Sequence, residues 1–258
     1  MTTTPALDTQ ARVILALALR EVHTLYGGKS LGYLWAILKV AFSVAVFGAI
    51  RLFVHAPAPH GMNMLSYLAA GFGIWNIITQ TLIKCMASID GNRALLSFPQ
   101  VTPLDIMLAR CLVVTTTQLL SMAIILGGGI ASGYTFTISN IGILIACILL
   151  SALFGLGLGA IFCSLAYYLP VLQQLIPMSL QILFFASGIF YSVSAFSHRV
   201  GDFLMLNPIM QLIELTRMAL ANGYVSLYAD FWYVVQVTLV SLFLGLLLER
   251  YVRRRVTQ

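Results

Sequence analysis

Residues 10–35 read QARVILALALREVHTLYGGKSLGYLW and lead directly into a long apolar stretch. Over Gln10–Tyr26, helical spacing puts leucine, isoleucine, valine and alanine on one face. The other face carries Arg12, Arg20, Glu21 and His23. Because the apolar run is too short to cross a bilayer and one side is charged, we predict a helix lying in the membrane interface. A membrane span follows it.

The composition places the whole chain in the membrane. Of its 258 residues 60% are hydrophobic and only 9% are charged, whereas a soluble domain carries about 25% charged residues. The mean hydropathy is +0.96. So few charges cannot cover a water-exposed surface, so the sequence predicts an all-α integral membrane protein. The four cysteines lie in apolar stretches without ligand spacing, and we expect buried thiols and no metal site.

Six stretches are apolar over about 20 residues, the length needed to cross a bilayer. They are residues 34–54, 65–87, 104–131, 141–167, 171–191 and 231–248. Residues 196–228 differ, because Asn207-Pro208 interrupts them and Glu214 and Arg217 follow within the next apolar run. Since proline breaks a helix and neither half is long enough to cross, we predict a re-entrant helix pair there.

The lysines and arginines of the short loops predict the orientation, because cytoplasmic loops are enriched in them. With both termini in the cytoplasm, only Arg199 and Arg217 fall on the outer side. The inner side receives Arg12, Arg20, Lys29, Arg93, Arg250, Arg253, Arg254 and Arg255. We therefore predict six spans with cytoplasmic ends and the 196–228 hairpin on the outer side.

No pattern for catalysis or nucleotide binding is complete. Gly28-Lys29-Ser30 resembles the end of a phosphate-binding loop, but the glycine required five residues earlier is His23. The four histidines lie in loops or near span ends, and the spans contain no nucleophile beside a base. We expect no enzymatic activity from this chain alone and no cofactor bound to it.

Four basic residues fall inside or just within the predicted spans: Lys39, Arg51, Lys84 and Arg110. Charge in hydrocarbon is costly, so such residues extend to the surface, pair with an acid or line a polar pathway. Arg110 has Asp105 nearby as a partner, and the other three can reach a membrane surface. If two or more line a pathway, the cargo is expected to be anionic.

The loop between the second and third spans is predicted to dock a partner. Asp90 to Pro99 reads DGNRALLSFP, a short helix with Leu95, Leu96 and Phe98 as apolar residues in a polar loop. Exposed apolar side chains on a cytoplasmic helix are typical of a docking surface. A second membrane-surface helix is the alternative.

These features together resemble the permease subunit of type-2 ABC transporters. The interface helix, Arg20-Glu21, the SLGYLW turn at residues 30–35, six spans and Leu206-Asn207-Pro208 occur in the family's order. The resemblance covers essentially the whole chain as a single transmembrane domain, residues 1–258. Chain length, short outer loops and residues 92–104 are most similar to the branch that exports capsular polysaccharide and O-antigen in Gram-negative bacteria.

The resemblance implies a homodimer in the bacterial inner membrane, docked on two cytoplasmic ABC ATPases that bind ATP and magnesium. It implies export of a lipid-linked capsular polysaccharide, expected to be acidic, and admits a periplasmic adaptor. No nucleic-acid partner is implied. The expected channel residues are Lys39, Phe42, Arg51, Trp75, Lys84, Phe184, Phe185 and Tyr191. The expected ATPase-coupling residues are Arg20, Glu21, Arg93, Leu95, Leu96 and Phe98.

Two alternatives remain open from the sequence. One is a type-2 ABC permease for another amphiphile, such as O-antigen, a teichoic acid precursor, a drug or haem. The other is a membrane scaffold that transports nothing. The scaffold leaves the basic residues in the spans without an explanation.

Overall fold

A computed structural model describes residues 4–26, 30–55, 62–97, 101–134, 137–226 and 229–256. These residues form helices, turns and loops, with no strand among them. Helices occur in each stretch predicted to be helical, although one of them, in residues 171–191, is shorter than predicted. The helices are α1 Thr4–Tyr26, α2 Ser30–Phe53, α3 Met64–Met86, α4 Arg93–Leu96, α5 Pro103–Ala131, α6 Ile141–Tyr168, α7 Leu172–Phe185, α8 His198–Leu204, α9 Pro208–Leu220 and α10 Phe231–Val256.

Three of the described helices are long and apolar enough to cross a membrane by themselves. They are Pro103–Ala131, Ile141–Tyr168 and Phe231–Arg253. Together with the composition, they make the chain an all-helical integral membrane protein.

The predicted fifth span, residues 171–191, is interrupted. Helix α7 ends at Phe185 after 14 residues, and non-helical backbone follows it. Gly188 has a φ of +73°, and a Cβ at this position would lie 2.9 Å from the terminal methyl carbon of Met210. A glycine with positive φ cannot continue a right-handed helix, so the chain turns here and packs against α9.

Helix α3 lies at the centre of the fold, between α5, α6 and α9. Its contact with α6 is close, since a Cβ on Gly155 would lie 2.8 Å from the carbonyl oxygen of Ile78. The absence of a side chain at Gly155 therefore lets the two helices approach closely. The far side of α6 packs along α10.

Helix α1 packs against α5, with Leu17 buried beside Ile106 and Ala109. Arg12 is exposed and pairs with Asp8. Glu21 was expected on the polar face with Arg12, but only 5% of it is exposed. Glu21 is buried because it pairs with Arg110 of α5. The helix also begins at Thr4, before the predicted start at Gln10.

The predicted break at Asn207-Pro208 is confirmed as a break between two helices. Helix α8 ends at Leu204, and α9 begins at Pro208. The Asn207 side chain accepts a hydrogen bond from the backbone N–H of Ile209 at 3.0 Å. An asparagine cap followed by proline in the first turn is a strong helix start, and nearly every residue of α9 is buried.

Candidate functional site

A cavity of about 540 Å³ lies between α2, α3 and α7. Each of these helices contributes side chains to its wall. The lining consists of Lys39, Ser43, Phe47, Phe72, Trp75, Asn76, Thr79, Gln80, Ile83, Pro177, Leu180, Gln181, Phe184 and Phe185.

The two ends of the cavity differ chemically. Lys39 lies about two turns before Phe47 on α2, and it alone is charged among the described lining residues. Further along α2, Phe47 meets Phe72, with ring centroids 5.6 Å apart. The cavity therefore has one cationic end and one aromatic end, and amide side chains are also part of its lining.

Four of the eight predicted channel residues line this cavity: Lys39, Trp75, Phe184 and Phe185. The other four lie elsewhere. Phe42 is 70% exposed on another face of α2, and Lys84 follows the lining residue Ile83 without lining the cavity. Arg51 and Tyr191 lie beyond its aromatic end.

Phe190 joins the aromatic residues at that end. Its ring centroid lies 4.5 Å from Phe47 and 5.2 Å from Phe184. Trp75 extends the cluster, since its ring lies 5.4 Å from Phe184 in an edge-to-face arrangement. Contacts of this geometry are favourable between aromatic rings.

Arg51 binds the protein's own backbone. Its Nη2 donates to the carbonyl oxygen of Phe190 at 2.8 Å. Its guanidinium also lies 5.4 Å from the ring centroid of Tyr67. The arginine therefore anchors the segment that follows α7.

A second arginine, Arg217 of α9, is completely buried in what we call the hairpin cluster: Arg217, Glu214, Tyr67, Tyr224 and Ser192. Its Nη1 lies 3.0 Å from Oε1 of Glu214, and its carbon Cζ lies 3.5 Å from the ring centroid of Tyr67. The guanidinium also donates to the backbone outside the cluster, to the carbonyl oxygen of Ile189 at 2.9 Å. A buried ion pair needs such additional partners, because removing two charges from water is costly.

Tyr224 completes the hairpin cluster from the loop after α9. Its hydroxyl lies 2.9 Å from Oε2 of Glu214 and 3.0 Å from Oγ of Ser192. Burial, and secondarily the carboxylate of Glu214, raise the pKa of Tyr224 above its usual value of 10. The tyrosine therefore stays protonated and can donate to the carboxylate.

At the opposite end of the helices, Arg110 and Glu21 form what we call the α1–α5 pair. Arg110 Nε donates to Oε1 of Glu21 at 3.0 Å, and Nη1 donates to the carbonyl oxygen of Lys84 at 2.6 Å. The predicted partner Asp105 is wrong. Asp105 accepts from Thr102 in a capping box at the start of α5, so its carboxylate is already bound.

The predicted coupling loop is a single turn of 3-10 helix, Asp90–Asn92, followed by α4. Arg20 Nη2 donates to Oδ1 of Asn92 at 2.6 Å and connects α1 to this loop. Leu95 and Leu96 were expected to be exposed, but both are partly buried against the group that contains Leu17. Phe98 lies outside the described residues.

The outward face of the coupling loop is polar. The Arg93 side chain is 79% exposed and lies 2.9 Å from Asp90. Asp90 also accepts a hydrogen bond from Gln173 of α7 at 2.6 Å. Arg93 is therefore exposed, while the two leucines hold the loop against α1 and α5.

Sequence reasoning missed Tyr67, Tyr224 and Phe190 as members of these clusters. Their partners lie on other helices or loops, so sequence spacing alone does not bring them together. Asn76, Gln80 and Gln181, which line the cavity, were also not predicted as site residues. Polar residues recurring at helical spacing on α3, from Asn76 to Gln80, are the signal that could have indicated a wet face.

Comparison with known proteins identifies the family. The model of the ABC-2 type transporter family matches residues 12–221. The chain belongs to this family. The ABC-2 match includes most of α1, the cavity, the α1–α5 pair and all of α9. As an ABC-2 protein, the chain is a membrane transport subunit rather than an enzyme.

Several curated ABC-2-like relatives match over nearly their whole length. The polysialic acid transport protein KpsM of Escherichia coli is 29% identical over 244 residues, 94% of each chain. The capsule polysaccharide export inner-membrane protein CtrC of Neisseria meningitidis is 26% identical, over 93% of this chain and 91% of its own. BexB of Haemophilus influenzae, a protein of the same description, is 24% identical over 95% and 92%.

In the described part of the chain, no group of three or more histidine, cysteine or carboxylate side chains could hold a metal ion. Cys85, Cys111, Cys147 and Cys163 are all buried and free.

Proposed function

We propose that this chain is the transmembrane permease subunit of an ATP-driven exporter that moves a lipid-linked capsular polysaccharide across the bacterial inner membrane. The observation that carries the proposal is the cavity, in which aromatic rings, amides and one lysine face the same space. Aromatic faces stack on the C–H-rich faces of sugars, and amides exchange hydrogen bonds with hydroxyl groups. Capsule-export relatives that match along almost the entire chain support the same cargo class.

The proposed cargo is acidic. Lys39 is exposed to the cavity, and no carboxylate among the described lining residues neutralises it. A cation facing a low-dielectric conduit favours anions over neutral sugars. One relative is named polysialic acid transport protein, and polysialic acid is an anionic glycan.

The proposed assembly contains two copies of this chain and two separate ABC ATPase subunits. Each copy would contribute six spans, counting α7 and the backbone after it as the fifth, with both termini in the cytoplasm. Helices α8 and α9 would form a re-entrant pair on the periplasmic side, where an adaptor can receive the cargo. The lysine and arginine distribution supports this orientation.

The proposed coupling surface comprises the loop from Asp90 to Pro99 and the adjoining end of α1. Arg93 would contact the ATPase, and Arg20 and Glu21 would hold α1 to the loop and to α5. Leu95 and Leu96 would transmit motion through their packing rather than by direct docking. ATP and magnesium would be bound by the ATPase subunits.

The experiment that tests the function is deletion of the gene in its native host, followed by staining for polysaccharide at the surface and in the cytoplasm. Loss of surface glycan with accumulation of polymer inside the cell is the expected result. Restoration by the wild-type gene is the control. Unchanged surface glycan would reject the proposal and favour export of another amphiphile, such as O-antigen, a teichoic acid precursor, a drug or haem.

The same complementation assay tests the cargo charge with two matched lysines. Lys39→Ala is expected to slow export of an acidic glycan several-fold more than export of a neutral one, because one cation is removed from the cavity. Lys84→Ala removes a lysine that does not line the cavity and should affect both cargoes equally. Equal slowing by Lys39→Ala would show that Lys39 has a structural role only.

A further inference from the structure

The backbone after α7 is held by two arginines from two other helices. Residues 186–192 are non-helical, so their carbonyl groups lack the partners that a helix would supply. Arg217 of α9 donates to the carbonyl oxygens of Ile189 at 2.9 Å and Tyr191 at 3.4 Å. Arg51 of α2 donates to the carbonyl oxygen between them, that of Phe190, at 2.8 Å. Three consecutive carbonyls are thus bound by two guanidinium groups.

Tyr67 of α3 connects the two arginines. The carbon Cζ of Arg217 lies 3.5 Å from its ring centroid, and that of Arg51 lies 5.4 Å away. A guanidinium stacks favourably on an aromatic face while its N–H groups donate in its own plane. The contact with Tyr67 therefore fixes the position from which each guanidinium donates to the carbonyl groups of the segment.

The side chain in the middle of this segment packs behind the aromatic end of the cavity. The ring of Phe190 lies 4.5 Å from Phe47, 5.2 Å from Phe184 and 6.1 Å from Phe72. Those three residues line the cavity, and Phe190 lies behind them. A small displacement of the Phe190 backbone would withdraw one ring from a four-ring cluster.

We propose that Phe190 is a plug at the aromatic end of the cavity and that Arg51 is the positioning residue that holds it closed. Arg51 is the adjustable member of the pair, because it is partly exposed and its described contacts include no carboxylate. Arg217 is completely buried and paired with Glu214, so it forms the fixed side of the clamp. The inference rests on the proposed function, since it takes the cavity as part of the export pathway.

The test measures how fast a cysteine in the cavity reacts with a charged, membrane-impermeant maleimide. Gln181→Cys places the thiol on the cavity wall, and the four native cysteines are buried, so they react slowly. The permease is expressed with its ATPase and labelled without ATP, in sealed spheroplasts and in inside-out vesicles. Labelling after solubilisation gives the total amount of folded protein.

Two variants are compared in this background. Arg51→Gln is expected to raise the labelling rate from the aromatic side about tenfold, because losing a hydrogen bond to a charged group shifts an equilibrium by roughly that factor. Phe190→Ala removes the ring but keeps the carbonyl, and a similar rise is expected. Arg199→Gln changes an exposed arginine of α8 and should leave the rate unchanged.

If the labelling rate from both sides is unchanged in both variants, the proposal that Phe190 is a plug is wrong. A rise with Phe190→Ala but none with Arg51→Gln would overturn the positioning role of Arg51, and so would an equal rise with Arg199→Gln. Because the assay needs no cargo, a deletion strain with normal surface glycan would reject the proposed function without changing this result. The side on which labelling rises also reports the orientation of α7.

Discussion

In the part of the chain that the structure describes, two buried arginine–glutamate pairs have the same 3.0 Å separation and opposite construction. In the hairpin cluster, Arg217 and Glu214 are three residues apart on α9, and their side chains are 0% and 1% exposed. In the α1–α5 pair, Arg110 and Glu21 are 89 residues apart on two helices, with 12% and 6% exposed. The first pair fixes the surroundings of one short helix, and the second fixes where one helix lies on another.

The two arginines also differ in the backbone carbonyl groups to which they donate. Arg217 donates to carbonyl oxygens in the segment that follows α7. The hairpin cluster therefore holds the backbone of a neighbouring segment against a buried ion pair. Arg110 binds the end of α3 through the Lys84 carbonyl, next to the coupling loop. We infer that the hairpin cluster maintains structure and that the α1–α5 pair carries motion between α1, α3 and α5.

The largest expected effect is that of Arg217→Met. It leaves Glu214 charged and buried without its cation, which costs about 3–5 kcal/mol in comparable pairs. We expect a large fall in the thermal unfolding temperature of the purified protein in detergent, or loss of folded protein. Arg199→Met, at an exposed position in α8, is the control and should change little. An unfolding temperature equal to that of the wild type would contradict a structural role for the hairpin cluster.

Glu21→Gln is expected to have an intermediate effect on stability and a larger one on coupling. The amide keeps the shape of the side chain but weakens a charge-assisted hydrogen bond, worth about 1.5–3 kcal/mol. Arg110 retains its bond to the Lys84 carbonyl, so the protein should fold. We expect more ATP hydrolysed per glycan exported, measured in reconstituted vesicles.

The control for Glu21→Gln is Asp8→Asn, which changes an exposed carboxylate of the same helix that is paired with Arg12. This variant should retain wild-type coupling, since exposed pairs contribute little. If Glu21→Gln lowers stability but leaves the ratio of hydrolysis to export unchanged, the α1–α5 pair is structural, like the hairpin cluster.

Features with local causes were predictable from the sequence. The break at Asn207-Pro208 follows from a capping side chain and a ring that excludes a helical N–H, both within a few residues. Apolar runs likewise predicted the ends of α3, α5 and α6 to within one residue, whereas α10 continues eight residues past its predicted end at residue 248. The end of α7 at Phe185 has a less local cause, because Gly188 turns the chain against Met210 of α9.

The clusters depend on partners that the sequence does not place together. Glu21 was assigned to a polar face because helical spacing alone determines its neighbours on α1, and its partner lies 89 residues away. Arg51 was interpreted as a channel residue, although its acceptor is a carbonyl of a segment predicted to be helical. Once α7 stops at Phe185, that carbonyl becomes free to accept. The contact of Arg51 with Phe190 therefore depends on a helix end that the sequence did not predict, and its channel role stays a prediction.

The smallest expected effect on stability, and the sharpest separation of structure from coupling, comes from Arg93→Ala. The pair between Arg93 and Asp90 is exposed, with 79% and 39% of the side chains accessible, so its loss should cost less than about 1 kcal/mol. If this face of the coupling loop docks the ATPase, co-purification of the ATPase should fall several-fold while the unfolding temperature is retained. Arg12→Ala removes another exposed arginine, paired with Asp8 on α1, and should leave co-purification unchanged. Equal recovery of the ATPase with both variants would show that the docking surface lies elsewhere. The α1–α5 pair would then have no docked ATPase beside the coupling loop from which to receive motion.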